Sequence, residues 1–236
     1  MLDLHCHILP GVDDGAASWD VALAMARFCV RDGITHVVAT PHCHRFTHLL
    51  RSDILPHVTR LNEELTRSRI PLTILPGSEI QLTDSAEYRR DFEAGLYCHL
   101  GDGHAFTLLE FPWKEELYPA DAPELISWLR TQGMTPIIAH PERHRFFELP
   151  ERLRGLVEAG AWLQVTADSL LGNHGTAPQS FGENLLRPTP KSFWRLMPIT
   201  CGAARDYRPD TVGSNSDWVR SELTFCGPML SGFYQR

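Results

Sequence analysis

A chain of 236 residues, 43% hydrophobic and 22% charged, has enough material to bury the core of one α/β barrel or of two smaller domains. A formal net charge of −7 excludes a grip on nucleic acid by bulk electrostatics, and no apolar run approaches the ~18 residues that a membrane-spanning helix needs. The N-terminus carries no basic stretch followed by an apolar one, and the six cysteines are scattered without a C-x-x-C pair, which predicts a cytoplasmic protein with free thiols.

Short apolar runs alternate with amphipathic stretches along the chain. Residues 2–7 read as a strand. Ser18 caps a helix whose apolar positions are Val21, Met25, Phe28 and Cys29, and Gly33 ends it. Residues 34–40 (ITHVVAT) form a β-branched strand, and residues 52–69 have helical period. A third strand spans 72–80, interrupted by Pro76-Gly77, and a short helix spans 84–93. Then come a strand at 106–110, a helix at 121–131, a strand at 136–140, a helix at 150–159 and a strand at 162–166. This rhythm predicts a parallel sheet covered by helices, and six such strands before residue 170 fit a barrel better than an open sheet.

After Arg187 the rhythm stops at Pro188-Thr189-Pro190. Residues 1–187 carry 25 acidic and 16 basic groups, a net −9, whereas residues 188–236 carry 4 and 6, a net +2. The expected organisation is one domain over 1–187 followed by an atypical tail over 188–236.

All 12 histidines lie between His5 and His174. In Asp3-Leu4-His5-Cys6-His7, residues two apart share one face of a strand, so His5 and His7 point together and Cys6 faces away as a packing residue. Two neighbouring imidazoles suit zinc, manganese or iron, although an isolated pair could equally be packed or exposed. Ligand-type residues recur at the C-terminal ends of the expected strands. Asp13-Asp14 follow the first, His42 the second, and Glu79, Glu110 and His140 end later ones. Any one of these could serve as a cap or a salt-bridge partner. Five strand ends carrying such groups mark the face of a barrel where active sites sit.

The D-x-H-x-H start, the TPH, the G-x-E, the L-x-E-F-P and the A-H-P-E-R resemble the PHP superfamily of polymerase and histidinol phosphatase domains. Within it, HCHILPGVDDGA, ATPH and IIAHPER are similar to the bacterial manganese-dependent tyrosine-protein phosphatases of the capsule-synthesis type, as is Thr166-Ala167-x-Ser169-Leu170-x-Gly172. The resemblance covers about residues 1–187. It implies a distorted, TIM-like PHP (β/α)7 barrel with a trinuclear metal centre whose ligands are His5, His7, Asp14, His42, Glu79, Glu110 and His140. Glu79 is the implied bridging carboxylate, and Arg143 is implied to hold substrate phosphate by a charged fork. The implied cofactors are two or three divalent ions, manganese first, with iron or zinc as alternatives. The implied substrate is a phosphotyrosyl protein, a bacterial tyrosine autokinase of capsule or exopolysaccharide synthesis, with no role for nucleic acid or membrane insertion. Paired metals activate water, so no cysteine nucleophile is required. The sequence agrees, because no cysteine has an arginine six positions on. His44, His48, His144 and His174 have no counterpart and read as surface or loop residues.

One further motif of that family, Ser-Asp-Ala-His at the end of the last strand, supplies two more ligands and is absent, since no histidine follows His174. Arginine outnumbers lysine 20 to 2, which suggests a GC-rich gene. An allowed back-translation of residues 194–200 (WRLMPIT), read from the third base of each codon, spells Ala-Ser-Asp-Ala-His-His. A frameshift near residues 187–191 would account for the tail; the alternative is a diverged tail with its own structure. Two other readings remain: a PHP phosphatase for a small ester such as histidinol phosphate, and a non-catalytic remnant of a frameshifted gene.

Overall fold

The computed structural model describes residues 1–43 and 49–186. The first strand, β1 (Leu2–Cys6), leads to α1 (Trp19–Arg31), whose first turn is capped by the Ser18 hydroxyl accepting from the Val21 amide at 3.3 Å. The stripe that α1 buries is Ala22, Met25, Ala26 and Cys29, so Met25 and Cys29 face inward as expected while Val21 and Phe28 lie at the edge. Gly33, at φ +83°, turns the chain out of the helix where a β-carbon would be strained.

The strand expected at 34–40 is β2 (His36–Ala39), and an unexpected short strand, β3 (His42–Cys43), resumes after a break at Pro41. After α2 (Arg51–Arg67), the third expected strand is likewise split at Pro76-Gly77 into β4 (Thr73–Leu75) and β5 (Glu79–Gln81). A proline has no amide hydrogen for a ladder, so neither strand can run through. The two breaks are neighbours, and the Glu79 amide donates to the Pro41 carbonyl at 3.0 Å. Gly77 lets the second break pack closely on β2, because a β-carbon there would lie 2.7 Å from Val38 Cγ1. The remaining elements are α3 (Ser85–Glu93), β6 (Phe106–Glu110), α4 (Ala122–Thr131), β7 (Thr135–Ala139), α5 (Pro150–Glu158), β8 (Trp162–Gln164), α6 (Ala167–Leu170) and α7 (Thr176–Leu186).

All pairings are parallel, in the orders β1-β2-β4 and β3-β5-β6-β7-β8. Because β2 leads into β3 and β4 into β5, the strands follow one another in sequence order across the kinks. The alternation of parallel strands and helices is the one expected. The (β/α)7 barrel is met only in part, since the strands do not close among the described residues. The expected last strand and the 188–236 tail lie outside them. No described helix is long and apolar enough to cross a membrane.

Helices cover one side of the strands. Leu109, Ile138 and Leu163 pack against Leu125, Leu129 and Leu156, while Val37, Ala39 and Ile74 pack under Met25, Leu61 and Leu65. The opposite face carries Leu2, Leu4, Val38, Leu108, Ile137 and Ala139, an apolar floor beneath the strand ends. One extra residue in β1 between Asp3 and Cys6, relative to β2, bulges the strand there. It leaves Leu4 in the floor and turns Cys6 outward into the helix-covered core, the packing role expected of it.

Asn62 of α2 clasps the edge of β4. Its amide nitrogen donates to the Ile74 carbonyl and its oxygen accepts from the Ile74 amide, both at 2.9 Å. Asn62→Ala leaves both backbone groups unpaired in a half-buried place and is expected to cost about 2 kcal/mol in urea unfolding. A change under about 0.5 kcal/mol would show that water replaces the clasp.

Candidate metal centre

Above the apolar floor, the strand ends bring ionisable groups into one buried cluster. Its middle is Glu79, on β5, with 0% exposure. One carboxylate oxygen, Oε1, lies 2.8 Å from His140 Nε2 and 3.3 Å from His5 Nε2. The other, Oε2, lies 3.0 Å from His42 Nδ1 and 3.2 Å from His7 Nε2. Glu110 Oε2 is 3.6 Å from His42 Nδ1, and its Oε1 is 3.8 Å from His140 Nε2. Register sets this up, because β3 aligns His42 with Glu79, and β5 aligns Glu79 with Leu108, two residues before Glu110 on the same face. His140 directly follows β7 with φ +32°, a left-handed conformation uncommon for a residue with a β-carbon and enriched at functional sites.

The histidines are held from behind. His5 Nδ1 donates to Gln164 Oε1 on β8 at 3.0 Å, and that oxygen also accepts from the His140 amide at 3.3 Å. His7 Nδ1 donates to Asp13 Oδ2 at 2.6 Å. Both bonds hold a hydrogen on Nδ1, so Nε2, the nitrogen turned to Glu79, is the one left for a cation to take, as with the outer partners of metal-binding histidines. The loop of residues 11–16 carries Asp13 back onto β1. The Ala16 amide donates to the His7 carbonyl at 3.0 Å, and Gly15 packs so tightly that a β-carbon would overlap His7.

Electrostatics follow from this crowding. Burial alone would raise the pKa of Glu79, but the imidazoles of His5, His140 and His42 hold its carboxylate well below the usual range. Burial would lower His7, yet its bonds to Asp13 and Glu79 raise it to about 9. Burial takes His140 down to about 3 despite its bond to Glu79.

The donor set fits divalent cations. His5 and His7 present their Nε2 atoms to each other at 3.2 Å, where at most one can carry a hydrogen, and Glu79 Oε2 and His140 Nδ1 are buried without a hydrogen-bond partner. Four groups gather ligand atoms within 4.8 Å of one another: His5-Glu79-His140, His7-His42-Glu79, His7-Asp13-Asp14 and Glu110-His140-His144. Nitrogen and carboxylate oxygen donors of this kind suit manganese, iron or zinc. Among the described residues Cys6, Cys29, Cys43 and Cys98 are buried, and burial pushes the Cys43 and Cys98 thiols up to about 12, far from thiolate chemistry.

All seven residues expected as ligands meet at this centre. Asp14 is at its rim, with a side chain 62% exposed and Oδ1 3.4 Å from His42 Nε2. Arg143 follows the left-handed turn, with its guanidinium carbon 5.4 Å from the Trp113 ring centroid. The reading of His144 as a surface or loop residue is corrected in one respect, since it lies in a loop between two short turns but not at the surface. It is buried, with Nε2 unpaired, stacked on Trp113 at 4.1 Å, because the turn at Pro141–Arg143 folds the chain back over that ring. His174 is half-buried in a turn, and His44 and His48 lie outside the described residues. Sequence reasoning flagged Asp13 beside Asp14 but gave the ligand role to Asp14 alone, and it missed Gln164 and Glu142. Glu142 Oε1 accepts from the Thr166 amide at 3.0 Å and from the Thr166 and Ser169 hydroxyls at 2.8 Å each, tying the HPER turn to the segment after β8.

A family model for capsular polysaccharide synthesis, CpsB/CapC, matches residues 1–191. The chain belongs to the CpsB/CapC family. It is 38% identical over 188 residues to the tyrosine-protein phosphatase YwqE of Bacillus subtilis, covering 79% of this chain and 72% of that one. It is 35% identical to a putative tyrosine-protein phosphatase CapC of Staphylococcus aureus, covering 74% and 68%. With the tyrosine-protein phosphatase CpsB of Streptococcus pneumoniae it shares 28% identity, covering 78% and 72%. Its fold superposes with a TM-score of 0.73 on a solved chain from work on YwqE and CpsB as unique metal-dependent tyrosine phosphatases, at 38% identity over 79% of this chain and 74% of that one.

Asp13→Asn keeps the shape but weakens the acceptor behind His7. We expect manganese affinity, titrated by electron paramagnetic resonance, to fall about 10- to 100-fold. Unchanged affinity would show that His7 needs no such support.

Proposed function

We propose that this chain hydrolyses phosphotyrosine in proteins with two or three divalent ions, manganese foremost, held by His5, His7, Asp14, His42, Glu79, Glu110 and His140. The observation that carries the reading is Glu79, whose two oxygens each meet a different pair of imidazoles, His5 with His140 and His7 with His42. When bound, divalent ions in such a site polarise phosphoryl oxygens and acidify water. The chain's own part is to orient and to exclude. Gln164 and Asp13 hold two imidazoles in one tautomer, and the apolar floor keeps bulk water from below. Arg143 offers a guanidinium to a phosphate dianion beside His140, with the geometry to pair two of its oxygens. The tyrosine-phosphorylated substrate is a bacterial tyrosine autokinase of capsule or exopolysaccharide synthesis, and the reaction takes place in the cytoplasm. The names of the relatives support the activity, and the family's description supports the pathway.

We also infer that the chain after Arg187 is read out of frame, so that residues 188–236 form a tail distinct from the 1–187 domain. The reversal of charge and the hidden Ser-Asp-Ala-His support this. Sequencing codons 180–200 decides it, and a gene without that motif in the alternate frame would end the idea.

The activity test uses a phosphotyrosyl peptide, with histidinol phosphate as the competing substrate. Manganese is expected to stimulate release of phosphate from the peptide, and a chelator to abolish it. Glu79→Gln is expected to lower the rate at least about a hundredfold. Turnover confined to histidinol phosphate, or none with any metal in either reading frame, would refute the proposal.

A further inference from the structure

The large apolar side chains exposed among the described residues are Trp113, Leu117, Leu149 and Leu171, and Trp113 is the only aromatic one, at 53% exposure. Its position is not incidental. Trp113 follows Glu110 by three residues, in the loop that leaves the site end of β6. Its ring is nearly parallel to His144, with centroids 4.1 Å apart and planes at 18°, and nearly parallel to His140, at 5.9 Å and 13°. His140 and His144 are themselves parallel, at 5.5 Å and 15°. The Arg143 guanidinium sits over the same indole at 5.4 Å. The indole therefore stands beside both an imidazole that reaches Glu79 and the arginine suited to phosphate. His144, buried behind it, keeps it from collapsing inward.

We propose that Trp113 is the specificity-determining residue for the ester's organic half: its exposed indole packs against the aromatic ring of the phosphate ester, so that aryl phosphates are held in preference to alkyl ones. The inference rests on the phosphatase reading above and adds which leaving group the site selects. A phosphotyrosyl ring is joined to phosphorus through one oxygen, so a phosphate held by Arg143 carries its ring to the rim of the same site. Offset or edge-on packing of that ring on the indole adds to the binding of aryl ligands alone, and Trp is the best aromatic partner at such a rim because its flat surface is large. An alkyl chain of a seryl or threonyl ester offers no π face and is too short to cover the indole. Stacking on His144 and the contact with Arg143 also restrict the indole's rotamers, so little side-chain freedom is lost when a ring lands on it.

The test is equilibrium binding to the full chain with manganese, using phenylphosphonate and methylphosphonate, which cannot be hydrolysed at the carbon–phosphorus bond. Wild type is expected to bind the phenyl compound about fivefold more tightly than the methyl one. Trp113→Ala is expected to bring that ratio close to one while leaving methylphosphonate affinity within about twofold, and Trp113→Phe to restore most of the preference. A preference retained in Trp113→Ala overturns the inference and leaves the phosphatase reading standing. An equal loss of both ligands in Trp113→Ala also overturns it, since the indole would then act as a structural prop. Wild type binding neither phosphonate would overturn the phosphatase reading and this inference together.

Discussion

The rest of the site depends on a single carboxylate sealed from solvent by the protein around it. Glu79 is completely buried, and a bare carboxylate in such a place costs several kcal/mol unless positive charge or hydrogen bonds compensate it. Four imidazoles surround it, yet two of them, His5 and His7, face each other through nitrogens that cannot both donate. Protons alone therefore leave the cluster imperfectly satisfied. Cations between the nitrogens and the two carboxylate oxygens would satisfy every one of these atoms at once. Asp13 and Gln164 matter because each holds a hydrogen on the far nitrogen of an imidazole and so turns the near one toward Glu79, where a cation would take it. They lie outside the ring of proposed ligands, but the ring's geometry is theirs to set.

That cluster could not form on straight strands. The breaks at Pro41 and at Pro76-Gly77 fall side by side, and both strands resume one step farther on in a second ladder. After the break β3 and β5 place His42 against Glu79 in register. The bulge in β1 does the same service for His5 and His7, leaving Leu4 in the floor below. Three local defects, each readable as a backbone constraint, thus turn the ends of five strands toward one point. A regular sheet would have spread these residues along its edge.

Much of this was legible because its cause is local. Ser18 announces a helix start by its hydroxyl acceptor and that cap forms, while Asp84, expected as the first residue of the next short helix, turns out to cap it. The strand at 106–110 has the bounds its alternating pattern gives, with Leu108 below Glu110 on one face and Leu109 in the helix-covered core. What was not legible depends on contacts between distant segments. Nothing in Asp13-Asp14 tells which carboxylate turns inward, because the answer lies in how Gly15 packs on His7. His144 looked like a loop histidine because a three-residue turn has no period to betray its burial, and its partner Trp113 lies 31 positions earlier in the chain. Gln164 was the most accessible omission, since a glutamine within a short apolar strand is a buried polar group that requires a partner.

The balance of charge orders the events at such a centre. Asp13, Asp14, Glu79 and Glu110 place four carboxylates within reach of its histidines, and among the described residues the Arg143 guanidinium lies near enough to His140 and His144 to disfavour a proton on either. A phosphate dianion approaching this set without cations meets more negative than positive charge in a poorly hydrated place, where like charges repel strongly. Divalent ions reverse the sign, so cation and phosphate must favour each other's binding through the same carboxylates. Reciprocity then requires that phosphate tighten the metals by the factor that the metals tighten phosphate. Arg143 alone cannot substitute for them: one fixed positive charge against four negative ones orients an anion that the metals attract, and does not attract it unaided.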